Sequence, residues 1–406
     1  MRILFVVPYA PRPIRTRPYY LLRALASRGH QVTLATLWQS EEERRALAEW
    51  KGLGIALVAF PLTRARSMWN CLRALPGSAP LQARYSWQPE LAHTIDRLLV
   101  SARPPFDVIH VEHLRGSSYG LHVRNGVAPV VWDSVDCISL LFEQTAKQSA
   151  STFGRFIANL DLQRTRAYEP WLAKQFARVL ITSPADKAAL ERLSGSGASD
   201  HVVVMANGVD LNYFQPGAAT REAADIIFSG RMSYHANVSA AVFFARQVMP
   251  LIWERQPQTT FTISGYDPVP EVRMLANDPR IIVTGTVDDV RPYLQRAAVA
   301  VAPMPYGTGI QNKILEAMAC QTPVVTSPQP LAALQAIAGE DVLVASSAAD
   351  FARQVLSLLG DAGLRQRVAA AGRRYVEQNH NWNSIVDQLE RIYADAIAGR
   401  GEARHG

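Results

Sequence analysis

The chain of 406 residues has three cysteines, Cys71, Cys137 and Cys320, too few and too scattered to build a disulfide fold. No CxxC spacing exists, which removes the usual structural zinc sites. A cytoplasmic location follows as the expectation, because so little cysteine suits a reducing compartment. No stretch approaches the ~20 apolar residues that span a bilayer. The run Ile3-Leu4-Phe5-Val6-Val7 is short, follows a single Arg2 and closes at Pro8, so it reads as a buried strand and not as an export signal. No metal-ligand cluster is visible, and neither a metal nor a cofactor is expected. Disorder is excluded too. The hydrophobic fraction is 48% and the charged fraction 19%, ordinary for a globular protein, and the length suggests two domains.

Acid is scarce in one half. Residues 1–205 carry 25 Lys and Arg against 16 Asp and Glu, whereas 206–406 carry 17 against 19. The basic half therefore calls for an anionic partner, a membrane surface or a phosphate. Nucleic acid is the weaker account and is not expected as a partner, since no recognisable binding motif accompanies the charge.

Hydrophobic patterning supplies the architecture. RILFVVPYA reads as a strand, PYYLLRALASRGH has helical spacing at Leu21, Leu22 and Leu25 with a stop at Gly29, and QVTLATL is the next strand. This is a βαβ unit and implies a parallel sheet. Further strands are predicted at 55–60, 107–113, 128–135, 177–183 and 201–207. A second series follows Pro216-Gly217, at 224–230, 259–265, 280–285, 298–304, 322–327 and 341–346. The chain is thus α/β, with two Rossmann-like, doubly wound domains over 1–207 and 208–381. A last amphipathic helix, within 382–406, carries Trp382, Ile385, Val386, Leu389, Ile392, Tyr393 and Ala396 and is expected to cross back to the first domain. Two such domains in series place a ligand cleft between them, at the carboxyl ends of the strands.

Two strand ends of the second half carry chemistry. In PYGTGIQNKILEAMACQTPVV a turn over Gly307, Thr308 and Gly309 precedes a helix expected to begin near Ile310, whose free N–H groups and dipole suit phosphate. Lys313 and Glu316, three apart, share a face. The lysine can pair with phosphate, and the carboxylate can accept two hydroxyl hydrogen bonds such as a ribose offers; a surface salt bridge after a turn weighs equally on spacing alone. In FSGRMSYHAN, Ser229 and Gly230 let a ligand approach the backbone and Arg231 offers a planar fork for a diphosphate.

With these motifs in order, the chain resembles the group 1 (family four) retaining glycosyltransferases of GT-B architecture, nearest the sugar transferases of exopolysaccharide clusters. The resemblance covers nearly the whole chain: MANGVDLNYFQP, FSGRMSYHANV, GTGIQNKILEAMACQTPVV and the run from DVLVASSAADFARQVLSLLGD to RRYVEQNHNW all fit the family pattern. It implies two domains facing across a cleft, a nucleotide-diphosphate sugar as donor and transfer with retention. Arg231 and Lys313 then bind the diphosphate, Glu316 the ribose, and the turn Gly307, Thr308, Gly309, Ile310 and Gln311 the phosphate and donor sugar.

Two departures stand out. Relatives often carry a Glu eight residues before Glu316, where this chain has Thr308, and a His-Asp pair where it has Val135-Asp136. On the acceptor side, strand alternation puts His110 and Glu112 on one face and Val111 and His113 on the other. His113 or Glu112 is expected to take the acceptor proton, with Asp133 and Asp136 nearby. Arg12, Arg15 and Arg17, in the proline-rich loop after the first strand, face the phosphates or the acceptor across the cleft, or else solvent. Residues 64–87 interleave Arg64, Arg66, Arg73 and Arg84 with Trp69, Leu72, Leu75 and Trp87, which suits a peripheral helix on an anionic inner membrane from which a lipid-linked or glycan acceptor is reached. A helix packed on its own domain accounts for that pattern equally. A nucleotide-sugar epimerase and a non-catalytic nucleotide-sugar-binding subunit are the rival readings.

Overall fold

The computed structural model describes residues 1–126, 128–148, 152–195, 201–217, 221–306 and 309–405. Contacts divide the chain into two units, one of residues 1–143, 157–206 and 382–406, the other of 144–156 and 207–381.

Among the described residues the first unit is built on seven strands: β1 (Arg2–Val7), β2 (Gln31–Trp38), β3 (Ala56–Pro61), β4 (Val108–Glu112), β5 (Val130–Val135), β6 (Arg178–Ile181) and β7 (Val202–Val204). Their order in the sheet is β3-β2-β1-β4-β5-β6-β7, every pairing parallel. Strands covered on both faces become continuous apolar runs, and Ile3 to Val7 are all buried. Helix α1 (Thr16–Ser27) buries Leu21, Leu22 and Leu25, and α2 (Arg64–Ala74), α3 (His113–Val123) and α4 (Ile138–Gln148) follow their strands.

The second unit has β8 (Glu222–Ser229), β9 (Thr260–Ser264), β10 (Ile281–Gly285), β11 (Ala297–Ala302), β12 (Val324–Thr326) and β13 (Leu343–Val344), in the parallel order β10-β9-β8-β11-β12-β13. Two helices frame its site, α5 (His235–Phe243) and α6 (Asn312–Ala319). The sequence suggests a six-residue strand at 341–346; only Leu343 and Val344 pair, because a turn from Gly339 N to Val342 O occupies the residues before them.

Helix α7 (Trp382–His405) closes the first unit. All seven apolar positions named from its spacing are buried, Trp382 stacks on Tyr20 at 5.4 Å, and Arg28 bridges to Asp387 and Glu390. In both sheets the order reverses beside the first strand, between β1 and β4 and between β8 and β11. Each reversal opens a crevice at the carboxyl ends of the strands, where open α/β sheets bind ligands.

Candidate functional site

In the second unit the crevice is shaped by glycine. Gly230 follows β8 at φ +147° and Gly265 follows β9 at φ +156°. A Cβ on Gly265 would stand 1.7 Å from the Gly230 carbonyl oxygen, so no other residue fits there without moving the turn. Backbone bonds from Gly230 N to Ser264 O (3.0 Å), Gly265 N to Gly285 O (3.2 Å) and Met232 N to Tyr266 O (2.8 Å) tie the strand ends together.

Asn237, buried in α5, is the pivot of this site. Its Nδ2 donates to Arg231 O at 2.9 Å and its Oδ1 accepts from Lys313 Nζ at 2.9 Å. The Lys313 ammonium also donates to Gln311 Oε1 (3.2 Å), and its stem runs beside Gly230, whose Cβ would lie 3.2 Å from Lys313 Cε. All these acceptors are neutral. Among the described residues Lys313 has no carboxylate within ion-pair distance, and neither has Arg231, whose exposed guanidinium donates only to Ser233 Oγ at 3.0 Å. Burial lowers Lys313 to about 8, opposed by Glu316. Burial raises Glu316 to about 7, opposed by Lys313. The carboxylate of Glu316 makes no hydrogen bond among the described residues, which leaves its oxygens available.

The helix begins at Asn312 and not near Ile310. Gly309 is left-handed at φ +66° and Gln311 is extended, so the chain enters the helical region two residues later than its pattern suggests. Ser229 is buried at the strand end, Ile310 is buried and Gln311 holds Lys313; Gly307 and Thr308 lie outside the described residues. Below the turn, Tyr306 is buried and shares a 2.7 Å hydrogen bond with His235 Nδ1, the two rings stacked at 5.3 Å. Sequence reading did not select His235, Tyr306 or Asn237. All three stand within stretches the sequence singles out, His235 and Asn237 in FSGRMSYHAN and Tyr306 in PYGTGIQNKILEAMACQTPVV.

In the first unit the ends of β1 and β4 meet. Tyr9 Oη donates to Glu112 Oε1 at 2.6 Å, and burial, with Asp133 adding to it, raises Glu112 to about 8. Glu112 is therefore a carboxylic acid at neutral pH. His113 does not continue the strand alternation: it is the first residue of α3, at φ +63°. Its Nδ1 accepts from Arg115 N (3.2 Å), and burial, with Arg115 and Arg15, holds the ring down to about 3, so it stays neutral. Asp136 stands apart beyond β5, where Thr182 Oγ1 donates to it at 3.3 Å and burial, with Asp186 contributing, raises it to about 7.

Arg17, Asp133 and His110 prove to be core. Arg17 Nε donates to Asp133 Oδ2 at 2.7 Å, with both side chains buried, and Arg17 Nη1 donates to the carbonyls of Met205 and Ala206. His110 stacks on Phe5 at 4.0 Å and shares a 2.8 Å hydrogen bond with Tyr393 Oη; burial lowers it to about 4. Val135, the position where a histidine was looked for, is left-handed at φ +68°, uncommon for a β-branched residue.

Comparison with known proteins agrees with this two-part construction. A glycosyl transferase 4-like domain model matches residues 14–208, and a glycosyl transferases group 1 model matches 223–361. Glycogen synthase of Mycobacterium tuberculosis is 27% identical over 98% of this chain and 96% of its own. D-inositol 3-phosphate glycosyltransferase of Salinispora arenicola is 31% identical over 49% of this chain and 51% of its own. Among solved structures, sucrose-phosphate synthase of Thermosynechococcus elongatus superposes with TM-score 0.73 at 16% identity, covering 98% of this chain and 100% of that one. HepE of Anabaena, solved with UDP and glucose, gives 0.68 at 15%, covering 97% and 99%. The fold is GT-B, and these matches favour neither an epimerase nor a non-catalytic subunit.

Proposed function

We propose, from the premise that this chain is a group 1 glycosyltransferase of the GT-B fold, that its second unit holds a nucleotide-diphosphate sugar as donor, and that its first unit presents a glycan or lipid-linked acceptor to that sugar, which moves with retention of configuration. One observation carries the donor reading: the same buried Asn237 holds the main chain of Arg231 and the ammonium of Lys313 at one strand end, and among the described residues neither cation has a carboxylate partner. As the bond from the sugar to the diphosphate breaks, negative charge grows on the phosphate oxygens. Fixed cations and the N-terminal N–H groups of α6 stabilise it without reorganising. Glu316, one turn further along α6, is placed to accept hydroxyl hydrogen bonds from the ribose. Water exclusion is needed as well, or the donor is hydrolysed.

The two raised and lowered groups set a pH window. Glu316 must lose its proton to accept from two hydroxyls, and Lys313 must keep its own to pair with phosphate. Donor kcat/KM should therefore peak between pH of about 7 and about 8, falling on the acid side as Glu316 protonates and on the alkaline side as Lys313 discharges. In Glu316→Gln the acid limb should disappear. An acid limb unchanged in that variant would remove Glu316 from the site.

An anionic membrane surface is proposed as the place of action. Helix α2 packs inward through Ser67, Asn70 and Ala74 and turns Met68, Trp69 and Leu72 outward, with 72%, 52% and 56% of their surface exposed. Arg64 and Arg73 are exposed beside them, and no acidic residue stands between Glu49 and Glu90. An outward apolar face with a basic border suits the interface of anionic lipid. The protein should co-sediment with phosphatidylglycerol vesicles at low salt and be released as salt rises, and Trp69→Ser with Leu72→Ser should abolish the binding. Absence of binding at low salt would refute this placement.

A further inference from the structure

The structure sorts the basic residues of the first unit into paired and unpaired ones. We infer that two of the arginines without a carboxylate partner among the described residues, Arg15 and Arg115, form a subsite for a phosphate group carried by the acceptor; the inference rests on the proposal that this unit takes the acceptor. Of the three arginines after β1, Arg12 is bound to Glu42 at 2.5 Å and Arg17 to Asp133 at 2.7 Å. Arg15 has no carboxylate partner among the described residues; its guanidinium lies 3.9 Å from the centre of the Tyr9 ring. Arg115, the third residue of α3, is likewise without a carboxylate. Its guanidinium lies 4.9 Å from the centre of the Tyr85 ring, and its Nε is buried with no hydrogen-bond partner.

Both stand at one place in the fold. Tyr9 follows β1, α3 follows β4, and these neighbouring strands flank the reversal of the sheet. Tyr9 spans the two ends through its bond to Glu112, with its ring 6.4 Å from that of His113. Arg115 is held below its ordinary range by burial first and then by Arg15, and the charges of both lower His113, so the two guanidiniums feel each other. The groups around them add no counter-charge: His113 is neutral, and Glu112, buried with its Oε2 unpartnered, keeps its proton at neutral pH. Two half-buried cations gathered without an anion are unfavourable until an oxyanion joins them. The planar forks of arginine match a phosphate, with two parallel hydrogen bonds from each.

The same chemistry belongs to a donor diphosphate, so the test separates the two sources. Full-length protein is treated with phenylglyoxal, and peptide mass spectrometry reads each arginine under three conditions: alone, with a saturating nucleoside diphosphate, and with that nucleotide plus inorganic phosphate. The nucleotide should slow modification of Arg231 and leave Arg15 and Arg115 reactive. Added phosphate, at a few times its Kd, should then slow those two about threefold or more, as occupancy requires, and leave Arg12 unchanged. No effect of phosphate, or full protection of Arg15 and Arg115 by the nucleotide alone, would overturn the inference. A failure of the donor reading shows separately, as Arg231 unprotected by every nucleotide. Because Arg115 is partly shielded from the reagent, a second measurement stands beside it: the rise in Tm that phosphate gives the nucleotide-saturated protein should vanish in Arg15→Gln with Arg115→Gln. An undiminished rise in that variant also overturns the subsite.

Discussion

Lys313→Ala is expected to lower turnover by about 10²–10³ while the protein keeps its fold and its Tm. Among the described residues the ammonium bonds only to neutral groups, Asn237 Oδ1, Gln311 Oε1 and the Met304 sulfur, and burial already disfavours its charge. Removing it breaks no ion pair, though Glu316 loses the charge that opposes its burial and is pushed further up. What is lost is the cation that meets charge developing on the leaving diphosphate, an interaction stronger in the transition state than in the bound donor. Lys313→Met keeps the stem that runs beside Gly230 and should lose nearly as much, which separates charge from packing. Steady-state kinetics with thermal melting checks both. Near-normal turnover in either variant would take the diphosphate away from this strand end.

Arg17→Leu should do the reverse. Arg17 and Asp133 are 4% and 0% exposed, and the guanidinium also holds the carbonyls of Met205 and Ala206, at the end of the first unit's last strand segment. Removing one partner of a buried ion pair leaves the other charge uncompensated, at a cost of about 3–5 kcal/mol. The variant is expected to unfold at markedly lower denaturant concentration, and Arg17→Leu with Asp133→Leu to recover much of the loss. Chemical denaturation followed by circular dichroism reads this directly. Stability close to the parent's in the single variant would contradict the structural assignment and return Arg17 to the ligand side.

These contrasting outcomes mark what a sequence carries and what it does not. The apolar runs of β1, β8 and β11 and the spacing of α7 were legible because burial on both faces of a parallel sheet, or along one helix stripe, is written residue by residue. Lys313 and Glu316 were legible for the same local reason, three positions apart on one helix. Partnership across the chain was not. Nothing in APRPIRTRP distinguishes Arg12, Arg15 and Arg17, yet Glu42 takes the first, Asp133 takes the third, and the middle one has no carboxylate among the described residues. Of His110, Glu112 and His113, strand alternation sets the first two on one face and the third on the other, with Glu112 or His113 expected to take the acceptor proton. The structure makes the first a core residue, the second a neutral acid and the third a neutral ring whose backbone has turned left-handed. Asn237 escaped because an asparagine acts here through two hydrogen bonds to groups six and 76 positions away. The approach of Gly265 to Gly230, which forbids any side chain, has no signature beyond two glycines after two strands.

The central claim is that the second unit binds a nucleotide-diphosphate sugar through Arg231, Lys313 and Glu316. It is tested most directly by isothermal titration of a panel of nucleoside diphosphates and their sugars into the parent protein and Lys313→Ala, with release of the diphosphate followed for each that binds. The account predicts one preferred nucleotide whose sugar is turned over, bound at least about tenfold more weakly by the variant, as loss of a charge-assisted contact worth roughly 1.5–3 kcal/mol requires. Equal affinity in both proteins, or no binding of any nucleotide by the parent, would contradict it.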